Sequence, residues 1–456
     1  MSRPRVVLYN PRAVFFTMPL ALVALASALD REKFEVVIVD GRLEADPVRA
    51  VLEAARDALC LGVTVLTGAP IRDALLVSRA VKSRNPGCRV VWGGWHPSLF
   101  SEECLDEPSV DIVVSGQGED VFREIVERLA AGDDVGGALR ERPLRDLNEL
   151  PPHDYSLLDV PRYFGLKGAR QIDYISSQGC RFRCAFCADP AVFKRGWTGL
   201  EPERIGDEAA FLHRRYGMEE LAFQDETFFT SAARVDALAD QFLRHGQPFT
   251  WTATLRADQA CRLGEPLFAK TVRAGLRRVM VGVESGSQEM LDRLKKDMKI
   301  EQVRETASLC SRHGVGAIFN FIVGFPGESE DAIHATLTLA KELRSANPQF
   351  DTPIFYYRPY PGNPMADQSA ADGYAFPQGL EEWADFDYVG GRGPWITAAR
   401  WRKVERFKFY TRHAWKPGKW RAPLRATSRW RCDHDWYGLP LEKVLVEFVR
   451  PPQQVS

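Results

Sequence analysis

Gly179-Cys180-Arg181-Phe182-Arg183-Cys184-Ala185-Phe186-Cys187 sets three cysteines on one short loop, directly after the strand-like run Ile172–Ser176. Thiolates are the ligands that iron–sulfur clusters take, and a tight loop lets three of them reach one cubane. Three thiolates leave one iron open to a bidentate small molecule. With nine cysteines in 456 residues, chance places this spacing somewhere in such a chain only about 0.004 times. A structural zinc site wants four ligands, usually as two pairs, and no second pair follows.

Working outward, short apolar runs recur at Leu221–Gln224, Thr250–Leu255, Arg278–Val283, Ala317–Val323 and Pro353–Tyr357, each separated from the next by a helical pattern. Six such units predict a parallel barrel over 169–365, probed at the carboxyl ends of its strands, where barrel chemistry sits, and incomplete at six strands. Those ends read Phe223-Gln224-Asp225-Glu226-Thr227, Thr254-Leu255-Arg256-Ala257-Asp258, Gly282-Val283-Glu284-Ser285-Gly286 and Gly324-Phe325-Pro326-Gly327-Glu328. Arg256 is able to clamp a carboxylate bidentately, and Glu284 to accept from hydroxyls. Each taken alone is equally well a salt bridge, a cap or a turn; their shared location gives them weight.

Upstream, residues 1–140 alternate strands (Val6–Tyr9, Glu35–Val39, Ala58–Val65, Arg89–Trp92, Asp111–Val114) with helices (Leu20–Leu29, Pro47–Ala55, Ile71–Ser83, Glu119–Leu129). That alternation predicts a doubly wound parallel sheet with its ligand crevice at the carboxyl strand ends. Residues 141–168, rich in proline (Pro143, Pro151, Pro152, Pro161), read as an extended linker. The expected fold class is therefore α/β: a doubly wound domain, a partial barrel, and a small carboxyl-terminal region, 366–456.

That last region is basic and aromatic. From Gly391 to Arg431 there are 13 Lys or Arg against one acid, Glu405, with Trp395, Trp401, Trp415, Trp420 and Trp430 interleaved. Three readings stand: a solvated face covering the barrel opening, an anionic-substrate site, or peripheral contact with a membrane surface. Cys432-Asp433-His434 offers two metal-ligand types without a partner pair. The other five cysteines (Cys60, Cys88, Cys104, Cys261, Cys310) read as ordinary thiols.

Overall charge is near balance, 60 basic against 61 acidic residues, so no global field draws nucleic acid. An odd, scattered cysteine set fits a reducing compartment, and a cytoplasmic location is expected. The apolar stretch Ala13–Leu29 reads as a buried strand–turn–helix opening; Pro19 and its short length argue against a membrane span.

In its three cysteines and the aromatic Phe186 before the last of them, the chain resembles the radical S-adenosylmethionine superfamily over about residues 170–365. The resemblance implies that Cys180, Cys184 and Cys187 hold a four-iron cluster, and that the cluster's electron splits S-adenosylmethionine into methionine and a deoxyadenosyl radical. It further implies that Phe186 packs by the adenine, that Asp225, with Glu226 next, receives the methionine amine, and that Glu284 accepts from the ribose. An electron donor such as flavodoxin or ferredoxin is implied too.

The first domain resembles a cobalamin-binding domain through Thr64-Val65-Leu66 and the paired Gly93 and Gly94, where small residues let a nucleotide tail run against backbone. Where cobalamin domains often carry a cobalt-ligating histidine, this chain has Asn10-Pro11-Arg12-Ala13-Val14. His96, before Pro97, is a weaker axial candidate than a turn residue. Cobalamin together with the radical implies methylation of an unactivated carbon in a small-molecule, peptide or lipid substrate, with methylcobalamin as donor. The alternative is a radical cyclisation, ring rearrangement or other oxidation without methyl transfer. A tRNA methylthiolating enzyme needs a second cysteine triad, which Cys60, Cys88 and Cys104 are too dispersed to form, and a mere cobalamin carrier needs no cysteine loop.

Overall fold

The strands fall where the alternation places them. The computed structural model describes residues 3–13, 16–135, 138–141, 143–244, 246, 248–387, 391–415 and 422–449. Arg142, Val14, Lys416, Lys419, Trp420 and Arg421, which entered the readings above, lie outside the described residues. The chain divides into two compact units. One gathers Met1–Phe182, Cys187–Glu226 and Tyr360–Asp387; the other gathers Arg183–Phe186, Thr227–Pro359 and Tyr388–Ser456.

In the first unit, β1 (Arg5–Asn10), β2 (Glu35–Asp40), β3 (Ala58–Thr64), β4 (Arg89–Gly93), β5 (Ile112–Ser115) and β6 (Ala138–Glu141) form a parallel sheet in the order β2-β1-β3-β4-β5-β6. The connections are α1 (Leu20–Ser27), α2 (Pro47–Ala54), α3 (Ala69–Arg84), α4 (Trp95–Leu99), α5 (Ser101–Leu105) and α6 (Glu119–Ala130). Helices on both faces explain why β3 is apolar nearly throughout rather than alternating. One side of the core joins Leu8, Leu22, Cys60, Ile112, Phe122 and Ile125. The apolar stretch running into α1 is thus partly core: Met18, Leu20, Leu22 and Val23 are buried. β6 was not predicted, because an edge strand reading Ala138-Leu139-Arg140-Glu141 carries no apolar pattern.

The expected extended linker is instead locally folded. Asp146 and Asp154 cap single turns at Leu147–Glu149 and Tyr155–Leu157, and Asp159 caps α7 (Val160–Lys167). Each is an aspartate whose side chain accepts a backbone N–H, and Pro161 sits in α7's first turn, where no donor is needed. After α7 come β7 (Gln171–Tyr174), the antiparallel ribbon of β8 (Ser177–Gly179) with β9 (Trp197–Gly199), and α8 (Asp189–Phe193) between them. α9 (Pro202–Tyr216) then leads to β10 (Glu220–Phe223), parallel to β7. Asp173 on β7 ties this segment to earlier chain, accepting from Met18 N (2.7 Å) and Lys167 Nζ (2.5 Å).

In the second unit, α10 (Ala232–Arg244), β11 (Thr250–Leu255), α11 (Ala257–Arg273), β12 (Leu276–Glu284), α12 (Gln288–Arg293), α13 (Ile300–Arg312), β13 (Gly316–Val323) and α14 (Glu330–Ala346) continue the alternation. β11, β12 and β13 are parallel neighbours, and the last predicted strand is two short pieces, β14 (Phe350–Asp351) and β15 (Ile354–Tyr356), both pairing with β13. α15 (Pro364–Ala371) and α16 (Leu380–Ala384) return to the first unit, whereas α17 (Ala398–Ala414), α18 (Ala422–Asp433) and α19 (Leu441–Val449) belong to the second. Among the described residues no helix is long and apolar enough to cross a membrane.

Candidate active site

The cysteine loop leaves β8 through Gly179, whose φ of +83° and 2.3 Å distance from a notional Cβ to the Gly196 carbonyl admit only glycine. Cys180, Cys184 and Cys187 are half-buried thiols outside any disulfide. Among the described residues no three His, Cys, Asp or Glu side chains converge on a single-ion site. A cubane spreads its thiolates more widely than one ion does, and three sulfurs with no fourth suit a cluster with one open iron.

Residues 183–186 of the loop are held by a four-residue clasp, Leu294–Asp297. The Ala185 N–H donates to the Leu294 carbonyl at 2.9 Å. Arg183 forks onto Asp297 through two 2.8 Å bonds. Lys295 and Asp297 both sit at φ +51°, left-handed backbone that non-glycine residues adopt only when surroundings hold it. Arg256, at the end of β11, locks the arrangement: its Nε donates to Asp258 (2.9 Å), its Nη2 to the Lys296 carbonyl (2.5 Å), and its Nη1 lies 3.7 Å from Cys184 Sγ. The carboxylate Arg256 grips is thus Asp258, and the fork expected to hold a ligand also faces the Cys184 sulfur.

Lys296 carries the clasp toward the other strand-end residues. Its Nζ donates to Glu284 Oε1 at 2.6 Å and stands 5.9 Å from the centre of the Phe186 ring. Glu284, at φ +70°, ends β12 at a register shift, and Gly282 leaves the room its carboxylate needs: a Cβ there would stand 2.6 Å from Glu284 Oε1. Phe186 in turn packs edge-on to Phe325, in the turn after β13. Glu328 closes that turn, accepting from the Gly324 and Phe325 N–H groups, and burial raises its pKa to about 7. Cys184, Phe186, Arg256 and Glu284 are therefore brought together, with Lys296 and Asp258 as partners the sequence reading did not single out.

The other strand-end carboxylates lie in the first unit. Asp225 is buried and accepts from Ser176 N (2.7 Å), Ser176 Oγ (2.7 Å) and Ser177 Oγ (2.6 Å). Both its oxygens are engaged in holding the chain just before the cysteine loop, so the more direct candidate for an incoming ammonium is Glu226. Glu226 accepts from Gly179 N at 3.2 Å and is exposed as a residue, although neighbouring atoms crowd its carboxylate. Burial, then the nearby Asp189 charge, pushes its pKa up to about 8. Asp189, at the start of α8, is buried with neither oxygen hydrogen-bonded among the described residues, and burial raises it to about 6. Two crowded carboxylates favour a cation between them. Asp189 escaped the sequence reading because one aspartate at a helix start looks like a cap.

At the carboxyl ends of β3, β4 and β5, in the same unit, lies a cavity of about 150 Å³ lined by Gly62, Thr64, Gly93, Gly94, Gly118 and Phe122 among others. Gly94 (φ +96°) lets the chain turn back against β3: a Cβ would stand 2.8 Å from Thr64 Oγ1 and 3.0 Å from Val65 N. Val65 N donates to the Gly93 carbonyl (2.8 Å) and His96 N to the Val65 carbonyl (2.9 Å). The resulting loop presents Leu66 to solvent at 37% exposure. Thr64, Gly93 and Gly94 thus share one rim, and Leu66 follows two residues after Thr64. Gln117, unremarked in the sequence, crosses to Gln178 of β8 at 3.0 Å.

Where a cobalt-ligating histidine often stands, this chain is internally bonded. Tyr9 Oη and Arg12 N both donate to Asp73 (2.5 and 2.8 Å), and Arg12 Nε donates to the Gly41 carbonyl. His96 is fully buried beside Phe100 and Trp383, its Nδ1 bonded to Thr67 Oγ1 at 3.1 Å, and burial drops its pKa to about 3. It is a neutral core histidine in α4 rather than a turn residue. Cys432 and His434 do not meet either: the thiol is buried beside Tyr410, and His434 stacks on Trp430 while its Nδ1 donates to the Trp430 carbonyl.

Comparison with known proteins agrees with both halves of this geometry. Residues 174–340 match the model of the radical SAM superfamily, and residues 8–126 match that of the B12 binding domain. The chain is 30% identical over 399 residues to an uncharacterized methyltransferase, PH0819, of Pyrococcus horikoshii, covering 81% of this chain and 82% of that one. It is 25% identical over 333 residues to an anaerobic magnesium-protoporphyrin IX monomethyl ester cyclase of Rubrivivax gelatinosus, covering 68% and 59%. The radical S-adenosylmethionine methyltransferase TsrM of Kitasatospora setae, solved with cobalamin and a [4Fe-4S] cluster, has a similar fold, with a TM-score of 0.68 at 20% identity over 81% of this chain and 78% of that one. The two family matches and the likeness to the Pyrococcus protein over most of both chains establish that this chain belongs to the radical SAM superfamily, in the group that carries a B12-binding domain.

Proposed function

We propose that the chain is a cobalamin-dependent radical methyltransferase that adds a methyl group to carbon of a small-molecule, peptide or lipid substrate. The observation that carries this reading is the glycine-lined rim of Thr64, Gly93 and Gly94 in the same chain as the clasped cysteine loop. The cluster with S-adenosylmethionine supplies a hydrogen-abstracting radical, and cobalamin supplies a transferable methyl group.

The chain's own residues bind, orient and tune. Cys180, Cys184 and Cys187 ligate the cluster. Glu226, with Asp189 behind it, receives the cationic end of S-adenosylmethionine, while Asp225 fixes Ser176 and Ser177 beneath the loop. Phe186 supplies a face for the adenine, and Glu284 accepts from the ribose through the oxygen that Lys296 leaves available. Thr64, Gly93 and Gly94 let the nucleotide tail of cobalamin lie against backbone. Leu66, exposed in the loop after Thr64, would offer bound cobalamin an apolar neighbour.

A flavodoxin or ferredoxin is the expected electron donor. The nine cysteines, none of them in a disulfide, fit a reducing, cytoplasmic setting. The second reading, a radical cyclase or other oxidation without methyl transfer, is favoured by the Rubrivivax relative. Product analysis separates the two. Methylation yields S-adenosylhomocysteine and deoxyadenosine together, whereas deoxyadenosine alone, from protein loaded with cobalamin and substrate, rules methylation out. The Cys184→Ala variant is expected to lose both products and the iron–sulfur chromophore.

A further inference from the structure

α19 is oriented opposite to a helix of a water-facing surface. Leu441, Val444 and Leu445 recur at i, i+3 and i+4 and so share one face, the face such helices bury. Here they are 68%, 59% and 65% exposed, and Leu439 just before them is 71% exposed. A charged residue points inward instead: Glu442 pairs with Arg431 (2.8 Å) and accepts from Tyr410 Oη (2.9 Å). Arg431 also donates to the Gly438 and Leu439 carbonyls, holding the turn that displays Leu439. The bare apolar face is therefore fixed by buried polar contacts and is not a frayed end.

Two further features adjoin it. Trp430 and Trp436, 50% and 43% exposed, pack edge to face at 5.9 Å. Arg402, Lys403 and Arg406 of α17 line a groove together with Tyr437 and Gly438. The one acid in that groove, Asp435, is paired with Lys341 at 2.7 Å. Exposed leucine and valine, tryptophan at their border and a cationic rim form the pattern of a helix lying in a charged lipid interface. A second copy of the chain is a poorer occupant, because it would bring the same cationic rim with it.

We propose that α19 and the Trp430–Trp436 corner dock on an anionic lipid bilayer, with Arg402, Lys403 and Arg406 meeting its headgroups. The assignment does not depend on the methyl-transfer reading, since vesicle binding and product formation are measured separately. The test is co-sedimentation of the full-length, cluster-loaded protein with vesicles of phosphatidylcholine alone or mixed equally with phosphatidylglycerol. Binding to the mixed vesicles at low salt, released as salt rises, is expected, with little binding to phosphatidylcholine. The triple change Leu441→Ser, Val444→Ser, Leu445→Ser should weaken it at least about tenfold, and Arg402→Glu with Lys403→Glu should remove the salt-sensitive part. Both variants should keep the iron–sulfur chromophore and cleave S-adenosylmethionine as the parent does. The proposal is overturned if mixed vesicles do not bind at low salt or if the serine variant binds undiminished. It is equally overturned if the parent self-associates and the serine variant does not, which assigns the face to a second copy.

Discussion

Gly94 shows how much one missing carbon decides. At φ +96° and with Thr64 Oγ1 only 2.8 Å from where a Cβ would lie, Gly94→Ala must open the loop that shapes the cavity rim. A cost of about 1–3 kcal/mol in urea unfolding is expected, together with a lower ratio of cobalamin to protein by visible absorbance. Glu226 makes a prediction of the opposite kind, about charge. Its pKa stands at about 8 in the folded chain, above the ordinary carboxylate value, so the native state holds a proton that the unfolded chain releases. Stability from this group is present at low pH and is lost as pH rises from about 4.5 to about 8. The melting temperature of cofactor-free protein should fall by a few degrees over that interval, and Glu226→Gln should flatten the fall. A parent melting curve that stays level with pH would contradict the assignment. Residues of this kind were unevenly legible. Cysteine spacing is a local signal and named its loop outright, while Asp189 and Lys296 matter through neighbours far along the chain, which no local pattern records.

Among the elements, parallel strands buried on both faces announced themselves as apolar runs, and their boundaries fell within two or three residues of expectation. β6, with half its residues charged, and the β8–β9 ribbon, each three residues long, had too little pattern to be seen. The Leu294–Asp297 clasp was illegible for another reason, being built from backbone carbonyls and left-handed residues. It has an electrical consequence. Arg256 holds a buried cation 3.7 Å from Cys184 Sγ, and reduction adds negative charge to whatever those thiolates ligate. Arg256→Gln should therefore lower the cluster's midpoint potential by about 50–100 mV, read by potentiometric titration with electron paramagnetic resonance. Arg256→Lys should recover part of the shift. Equal iron content with an unmoved potential would reduce Arg256 to a packing role.

For the molecule as a whole, the two cofactor sites make separable demands. Protein reconstituted with iron and sulfide but denied cobalamin should still form deoxyadenosine from S-adenosylmethionine under reductant, and should form no methylated product. Full methylation without cobalamin would end the proposed role of the first domain. Its fold class was readable because strand and helix alternate so regularly there. What periodicity could not reveal is that Tyr360–Asp387, more than two hundred residues past the domain's apparent end, belongs to the same unit.

That return has a bearing on how such a protein could arise or be re-engineered. Trp383 of α16 rests 4.6 Å from Phe100 and 5.8 Å from His96, and Arg79 of α3 pairs with Glu381 at 2.7 Å. The corrinoid half is therefore no detachable cassette. A gene fragment ending near residue 140 would strip the aromatic cover from α4, and recombination that traded front halves between relatives would have to trade this distant insert as well.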